Sequence, residues 1–127
     1  MPTLTKKQLE QRRHAMMASD IPALLGIDDF TTPLMLAYKK LDTSPVVISE
    51  PNLNMDIGHY VEPITNKLFK KETGKKTKMN KDSFFKRHHG ATPDAFVINE
   101  HGEETDLVEF KYSTKGAKWA SLPDFVF

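Results

Sequence analysis

The feature of this sequence that most limits its fold is a change of pattern near Gly74. Before that residue, apolar side chains recur every three or four positions, which is typical of amphipathic helices. After it, short apolar runs alternate with turn residues such as Asn99-Glu100-His101-Gly102, which is typical of strands joined by hairpins. Helices followed by a meander of strands predict an α+β domain.

Capping signals and apolar spacing predict four helices in the first part of the chain. Thr5 and Gln8 have the spacing of a capping box, and Ser19 is a suitable N-cap for a second helix. Thr32-Pro33 combines a cap with proline at the first helical position. The predicted helices cover residues 5–17, 19–25, 33–41 and 55–73, and residues 42–54 are predicted to form a loop.

The longest predicted helix carries an apolar stripe and a proline. Ile57, Val61, Ile64 and Leu68 step by four, three and four positions, which is typical of one helix face. Pro63 lies inside the same helix and is expected to kink it or to break it.

Three strands are predicted after the change of pattern. They are Phe84–Arg87, Asp94–Ile98 and Thr105–Tyr112, and His88-His89-Gly90 is predicted to turn the chain between the first two. The expected sheet is small and mostly antiparallel, and it follows the N-terminal helices.

Composition excludes several classes of function. At 127 residues the chain is predicted to be a single domain over 1–127. Cysteine is absent, which excludes disulfides, thiolate metal sites and cysteine nucleophiles. The five histidines lack the spacing of a metal motif, so a histidine metal site is not expected. The 18 basic and 17 acidic residues nearly balance, so no global basic field indicates a nucleic-acid partner.

The sequence shows no sign of secretion or membrane insertion. No stretch approaches the roughly 18 consecutive apolar residues of a membrane span. The lysines near the N-terminus are not followed by the apolar run of a signal peptide. A cytoplasmic location without a membrane partner is therefore expected.

The last two predicted strands carry a candidate chemical site. Asp94 opens one strand and Glu109 lies near the end of the next, so antiparallel pairing can bring the two carboxylates together. Glu109 and Lys111 share a face, whereas Val108 and Phe110 take the other. Carboxylate oxygens suit Mg²⁺ or Mn²⁺, and a neighbouring lysine can orient an attacking water. A salt bridge on a polar sheet face explains the same residues equally well.

These residues belong to an ordered set of short strings. The strings are Ala18-Ser19-Asp20-Ile21, Gly58-His59-Tyr60-Val61-Glu62-Pro63, Ala91-Thr92-Pro93-Asp94 and Val108-Glu109-Phe110-Lys111. Together they resemble the YqaJ-type viral recombinases, the phage lambda exonuclease-like branch of the PD-(D/E)xK nucleases. The resemblance extends from Arg12 to Trp119.

The resemblance implies a restriction-endonuclease-like core and an Mg-dependent deoxyribonuclease. That enzyme would hydrolyse DNA from a 5′-phosphorylated end in phage-type recombination. Asp94 and Glu109 match the main ligands of Mg²⁺ (or Mn²⁺), and the Phe110 carbonyl is a further expected ligand. Glu62 matches a helical glutamate that adds to the metal site, directly or through water, although a solvated helix residue is the simpler interpretation without the family. Lys111 matches the lysine that positions the hydrolytic water.

The resemblance also implies a phosphate site. Ser19 matches a serine that binds the 5′-phosphate together with an arginine seven residues earlier, which here is Arg12. Thr92 stands where a second phosphate-contacting hydroxyl is found. A helix N-terminus at Ser19 would favour an anion, although capping alone also explains the serine.

Charge is concentrated in two segments. Seven lysines fall within residues 67–81, offset only by Glu72, and Lys75, Lys76 and Lys78 are predicted to contact DNA. A solvated helix end explains the same lysines, because cations complement a helix C-terminus. The acidic residues of 100–106 are expected at an exposed hairpin tip.

The end of the chain departs from the family pattern. In similar proteins the segment after Trp119 reaches a glutamine-bearing helix that contributes to the active site, and no such helix is expected before Phe127. The domain is therefore expected to lack its C-terminal helices, and the alternative function is a catalytically incomplete module that binds DNA or protein. Trp119 is expected to pack under the sheet or, as the second choice, to stack on substrate. A homotrimer and a single-strand annealing protein partner are further expectations from the resemblance.

Overall fold

The computed structural model describes residues 3–111. They form four α-helices, a short 3₁₀ turn and two three-stranded sheets, which confirms the predicted α+β class. Predictions for Tyr112, Trp119 and the C-terminal helix lie outside the described residues. The order along the chain is α1 (Lys6–Arg13), β1 (Met16–Met17), the 3₁₀ turn (Ala18–Asp20), α2 (Ile21–Leu24), α3 (Pro33–Leu41), α4 (Leu53–Thr73), β2 (Lys76–Met79), β3 (Phe84–Lys86), β4 (His89–Ala91), β5 (Ala95–Ile98) and β6 (Glu104–Val108).

Two of the predicted N-caps form. The Gln8 backbone N–H donates to Thr5 Oγ1 at 3.2 Å, and the Thr5 N–H donates to Gln8 Oε1 at 2.8 Å, which completes the capping box. Thr32 Oγ1 accepts the Met35 N–H at 3.2 Å at the start of α3. These side chains satisfy backbone donors that a helix start otherwise leaves open.

The first helix is shorter than predicted. It ends at Arg13, so the prediction that it continues to Met17 is wrong. The Met16 N–H donates to the His88 carbonyl at 2.7 Å, and Met17 pairs with Gly90. These two methionines therefore form β1, because their backbone pairs with β4 and does not continue the helix.

Ser19 does not cap a helix, contrary to the prediction. It lies in the 3₁₀ turn, and α2 begins at Ile21 without a side-chain cap. The adjacent Asp20 takes the backbone donor instead, because its Oδ2 accepts the Met17 N–H at 2.9 Å. The argument that a helix N-terminus at Ser19 favours an anion therefore does not apply.

The fourth helix is correctly predicted, but only Ile57 and Val61 of its predicted stripe are half-buried. α4 continues through Pro63 without a break and ends at Gly74, whose φ of 69° is left-handed. Ile64 and Leu68 are 57% and 54% exposed, and Phe69 packs against the sheet instead. Among residues 3–111, no helix is both long and apolar enough to cross a bilayer.

The strands form two sheets rather than one. One sheet has the order β1-β4-β3 with a parallel β1–β4 pair, and the other has the order β2-β5-β6. Three of the four strand pairs are antiparallel, as predicted. The three predicted strands correspond to β3, β5 and β6, although β6 ends at Val108.

Three strands have no counterpart in the prediction. β1 lies in the predicted first helix, β2 in the lysine-rich segment, and β4 in the predicted turn at His88-His89-Gly90. The chain turns earlier, where Arg87 has a φ of 56°. These strands are two to four residues long and carry no alternation of apolar and polar residues, so the sequence pattern did not predict them.

The core lies where α4 covers the second sheet. Ala95, Val97 and Val108 are buried, and Phe69 and Phe110 pack against them. Because Ala95 begins β5 and Val108 ends β6, this packing holds those two strand ends together.

Replacing Gly90 with alanine is expected to destabilise the fold. A Cβ at Gly90 would lie 2.7 Å from Met17 Sδ and 2.8 Å from the Phe85 ring, and Met17 is 1% exposed. The overpacking should cost about 1–3 kcal/mol in urea unfolding. Gly58→Ala is the control: nothing lies within 4 Å of its Cβ position in α4, so the same change there should stabilise by about 0.5–1 kcal/mol. Equal effects at both sites would contradict the close packing at Gly90.

Candidate functional site

The two predicted carboxylates meet where β5 begins and β6 ends. Ala95 pairs with Val108, so the register places Asp94 opposite Glu109. Asp94 is 1% exposed, and its Oδ2 accepts the Phe110 backbone N–H at 2.7 Å. The structure therefore brings these two residues together and holds one carboxylate against the backbone of the neighbouring strand.

Lys111 lies beside Glu109, on the face that the alternation predicts. Lys111 Nζ is 2.6 Å from Glu109 Oε1, and the two side chains are 70% and 47% exposed. Val108 and Phe110 point to the other face and join the core. An ion pair this exposed adds at most about 1 kcal/mol to stability, so the geometry is compatible with a chemical role and with a surface salt bridge.

Glu62 lies on the side of α4 that faces the sheet. It is half-buried and precedes Phe69, which packs on the sheet, by seven residues. Asn66 Oδ1 accepts the Thr77 hydroxyl at 2.6 Å, which docks α4 on β2. Since β2 reverses direction after α4 and pairs antiparallel with β5, Glu62 lies toward the end of the sheet that holds Asp94.

The donor atoms at this end suit a hard divalent cation. They are the carboxylate oxygens of Asp94 and Glu109 and the carbonyl of the neighbouring Phe110. Among the described residues, however, no three His, Asp or Glu side chains converge into a metal-holding group. The structure therefore joins two of the predicted carboxylates but does not bring Glu62 into a three-carboxylate centre with them.

The predicted phosphate-binding residues form one hydrogen-bonded cluster. Arg12 Nη1 donates to Thr92 Oγ1 at 2.9 Å, and Nη2 donates to Ser19 Oγ at 3.0 Å. Ser83 Oγ lies 2.7 Å from Thr92 Oγ1. We refer to Arg12, Ser19, Ser83 and Thr92 as the Arg12 cluster, which gathers residues 80 positions apart in the chain.

The charge of Arg12 is not neutralised by a bonded carboxylate. Within residues 3–111 no ion pair joins Arg12 to an acidic side chain, and its side chain donates to hydroxyl groups. Burial lowers the pKa of the Arg12 guanidinium, whereas the nearby charge of Asp20 acts in the opposite direction. A half-buried cation whose side-chain bonds within residues 3–111 go to hydroxyl groups can accept an anion at this point of the surface.

Lys40 supports the backbone beneath the cluster. Its Nζ lies 2.6 Å from Asp20 Oδ2 and donates to the Arg12 carbonyl at 2.8 Å. It therefore ties α3 to the end of α1 and to the turn that carries Ser19. The sequence analysis missed this role, because nothing in the spacing of Lys39-Lys40 distinguishes Lys40 from a surface lysine.

The predicted DNA-binding lysines lie apart from the Arg12 cluster. Lys75 and Lys76 are exposed, and Lys76 pairs with Ile98 at the end of β5 opposite to Asp94. Lys78 Nζ is 3.0 Å from Glu104 Oε1, so part of its charge is offset. The structure thus places these lysines on and beside an edge strand and not at the carboxylates.

Asn80 is a further residue that the sequence analysis missed. Its side chain is buried, and Nδ2 donates at 2.7 Å to both the Pro93 and the Asp82 carbonyls. Its backbone N–H donates to the Asp94 carbonyl at 2.9 Å. Asn80 therefore fixes the backbone that joins Thr92 of the Arg12 cluster to Asp94, and an asparagine after a lysine-rich strand gave no signal of this.

Replacing Asn80 with alanine is expected to destabilise the protein. Two backbone carbonyls would lose their donor inside the fold, which should cost about 1–3 kcal/mol in urea unfolding. Asn54→Ala, in the exposed first turn of α4, is the matched control and should change stability by less than about 0.5 kcal/mol. A loss at Asn80 no larger than that of the control would contradict its role.

Comparison with known proteins identifies the family. The sequence model of the YqaJ-like viral recombinase domain matches residues 7–122. The matched range includes every residue of the Arg12 cluster and of the carboxylate end of the sheet. The chain belongs to the YqaJ-like viral recombinase domain family. Neither the comparison with curated proteins nor the comparison with solved structures returns a match.

Proposed function

We propose that this chain is a metal-dependent DNA nuclease that acts at 5′-phosphorylated ends in phage-type recombination. The proposal rests on one observation: the Arg12 cluster and the carboxylates of Asp94 and Glu109 are joined by a very short stretch of chain. Thr92, which bonds Arg12, is separated only by Pro93 from Asp94, which lies opposite Glu109. Two residues of extended chain span roughly 7 Å, so both sets of groups can contact the same end of one DNA strand.

The Arg12 cluster would hold the terminal phosphate. Arg12 supplies the positive charge, and the hydroxyls of Ser19 and Thr92, which accept from it, would donate to the anion. A terminal phosphate carries more charge than a phosphodiester, so a half-buried cation favours a 5′-phosphorylated end.

The carboxylate end of the sheet would carry the chemistry. Asp94, Glu109 and the Phe110 carbonyl would hold Mg²⁺ or Mn²⁺, and Glu62 would add to the site from α4. The ion, when bound, supplies electrostatic stabilisation of the phosphoryl group and activation of water. Lys111 would orient the attacking water by donating hydrogen bonds from Nζ, and its bond to Glu109 holds it beside the carboxylates.

Other parts of the chain extend this proposal to longer DNA and to partners. Lys75, Lys76 and Lys78 would contact the backbone beyond the terminal phosphate, which makes binding sensitive to salt. A homotrimer and a single-strand annealing protein partner, both implied by the resemblance, complete it.

Asp94→Ala and Lys111→Ala are each expected to reduce hydrolysis of a linear 5′-phosphorylated duplex by at least about 100-fold in the presence of Mg²⁺. The first change removes a carboxylate that would hold the ion, and the second removes the donor that would orient water. The measurement is release of nucleotides over time. Glu100→Gln, on the hairpin tip, is the control and should cleave like the parent chain. Undiminished cleavage by either alanine variant would overturn the mechanism.

Arg12→Gln is expected to reduce the preference of the protein for 5′-phosphorylated over 5′-hydroxyl duplex ends by about tenfold or more, since it removes a charged hydrogen-bond donor. Dissociation constants for the two duplexes give the preference directly, without requiring cleavage. Arg13→Gln is the control, because it makes the same change of charge at the next residue. The Arg13 side chain donates to the Ser44 carbonyl and not to the cluster, so this variant should keep the preference. An unchanged preference in Arg12→Gln would refute the phosphate site.

A binding module that does not cut DNA is the second candidate function. The absence of a preformed three-carboxylate centre among residues 3–111 favours it. It predicts that the parent chain binds duplex ends through Arg12 but releases no nucleotides with Mg²⁺ or Mn²⁺.

A further inference from the structure

Ser83 is the one member of the Arg12 cluster to which no role has been assigned. It precedes β3, and Thr92 follows β4. Phe84 pairs with Ala91 in this hairpin, so the register places Ser83 directly opposite Thr92. Their hydroxyl oxygens lie 2.7 Å apart, which is the length of a good O–H···O hydrogen bond.

The hydrogen-bond capacity of Thr92 makes this contact informative. A hydroxyl has one proton and two acceptor positions. Arg12 Nη1 donates to Thr92 Oγ1 and so fills one acceptor position. Ser83 can donate to the other position, and the Thr92 proton then has no partner left within the cluster and is available to an anion.

We propose that Ser83 is a positioning residue of the phosphate site, which turns the Thr92 hydroxyl proton toward the terminal phosphate. The inference rests on the proposed function, because it assumes that the Arg12 cluster receives the phosphate. Ser83 acts through Thr92 and makes no contact of its own with the anion. Without it, the Thr92 proton is free to rotate away, and ordering it would cost part of the binding free energy.

The test measures the ratio of dissociation constants for 5′-hydroxyl and 5′-phosphorylated duplexes with the whole chain. Ser83→Ala should lower this ratio by about fivefold, the effect of one neutral hydrogen bond, while binding of the 5′-hydroxyl duplex stays unchanged. Ser83→Thr retains a hydroxyl and should restore the ratio. Ser49→Ala, at an exposed serine of the loop before α4, is the matched control and should have no effect.

A double-mutant cycle separates positioning from direct contact. Thr92→Val keeps the shape of the side chain but removes its hydroxyl, so adding Ser83→Ala to it should cause no further loss of the ratio. A further loss in that background would show that Ser83 touches the phosphate itself, which would overturn the proposal. An equal weakening of both duplexes by Ser83→Ala would also overturn it, because it would indicate a general effect on the fold.

The Arg12 variant distinguishes failure of this inference from failure of the proposed function. If Arg12→Gln removes the preference for phosphate but Ser83→Ala does not change it, the phosphate site stands and the role of Ser83 is refuted. If neither variant changes the preference, the phosphate site itself is refuted.

Discussion

The candidate site depends on the hydrogen bonds of the buried Asn80 side chain, which join the two chain segments that carry the site residues. After β2 the chain crosses between the two sheets twice, once from β2 to β3 and once from β4 to β5. Asn80 lies on the first crossing and donates to the Pro93 carbonyl on the second. It also accepts the Asp82 N–H at 3.1 Å, next to Ser83. The Asn80 side chain thus holds the backbone next to Ser83, Thr92 and Asp94 in place. An apolar side chain could not replace it, because the amide both donates and accepts hydrogen bonds.

The two sets of groups on either side of Pro93 have opposite character. The Arg12 cluster consists of a cation and hydroxyl groups, whereas Asp94 and Glu109 present carboxylate oxygens. The residue between them, Pro93, has a fixed φ and lacks an N–H. It also favours an extended conformation of the preceding Thr92. The separation is therefore set by covalent geometry and by Asn80, and it does not depend on contact between the two sets.

The sequence predicts the local parts of this arrangement better than the parts that join them. The caps at Thr5 and Thr32, α4 and the hairpin of β5 and β6 follow from short-range patterns that the structure confirms. Met16-Met17 was wrongly placed in a helix and Ser19 at a helix cap, because their real partners, His88 and Arg12, are defined by the fold. Asn80, Lys40 and Ser83 could not be identified as site residues for the same reason: each acts through a neighbour that only the tertiary structure provides. The alternation at 108–111 did predict which side chains share a face, since that depends on the strand alone.

The opposite charges of the two sets would also give them different tasks in the proposed function, with the Arg12 cluster binding the phosphate and the carboxylates holding the metal ion. In the proposed phosphate site, a terminal phosphate would meet the Arg12 guanidinium, whose hydrogen bonds within residues 3–111 go to hydroxyl groups, so binding of an end would need no added ion. In the proposed nuclease, a phosphodiester at this end of the sheet would meet the carboxylates of Asp94 and Glu109, and like charges repel; Lys111 pairs with Glu109. The proposed hydrolysis at this end of the sheet would therefore need a divalent cation to reverse the sign of the local field. The two proposed functions, nuclease and binding module, would consequently share one fold and one phosphate site, and they would differ in whether the carboxylate end of β5 and β6 takes up that cation.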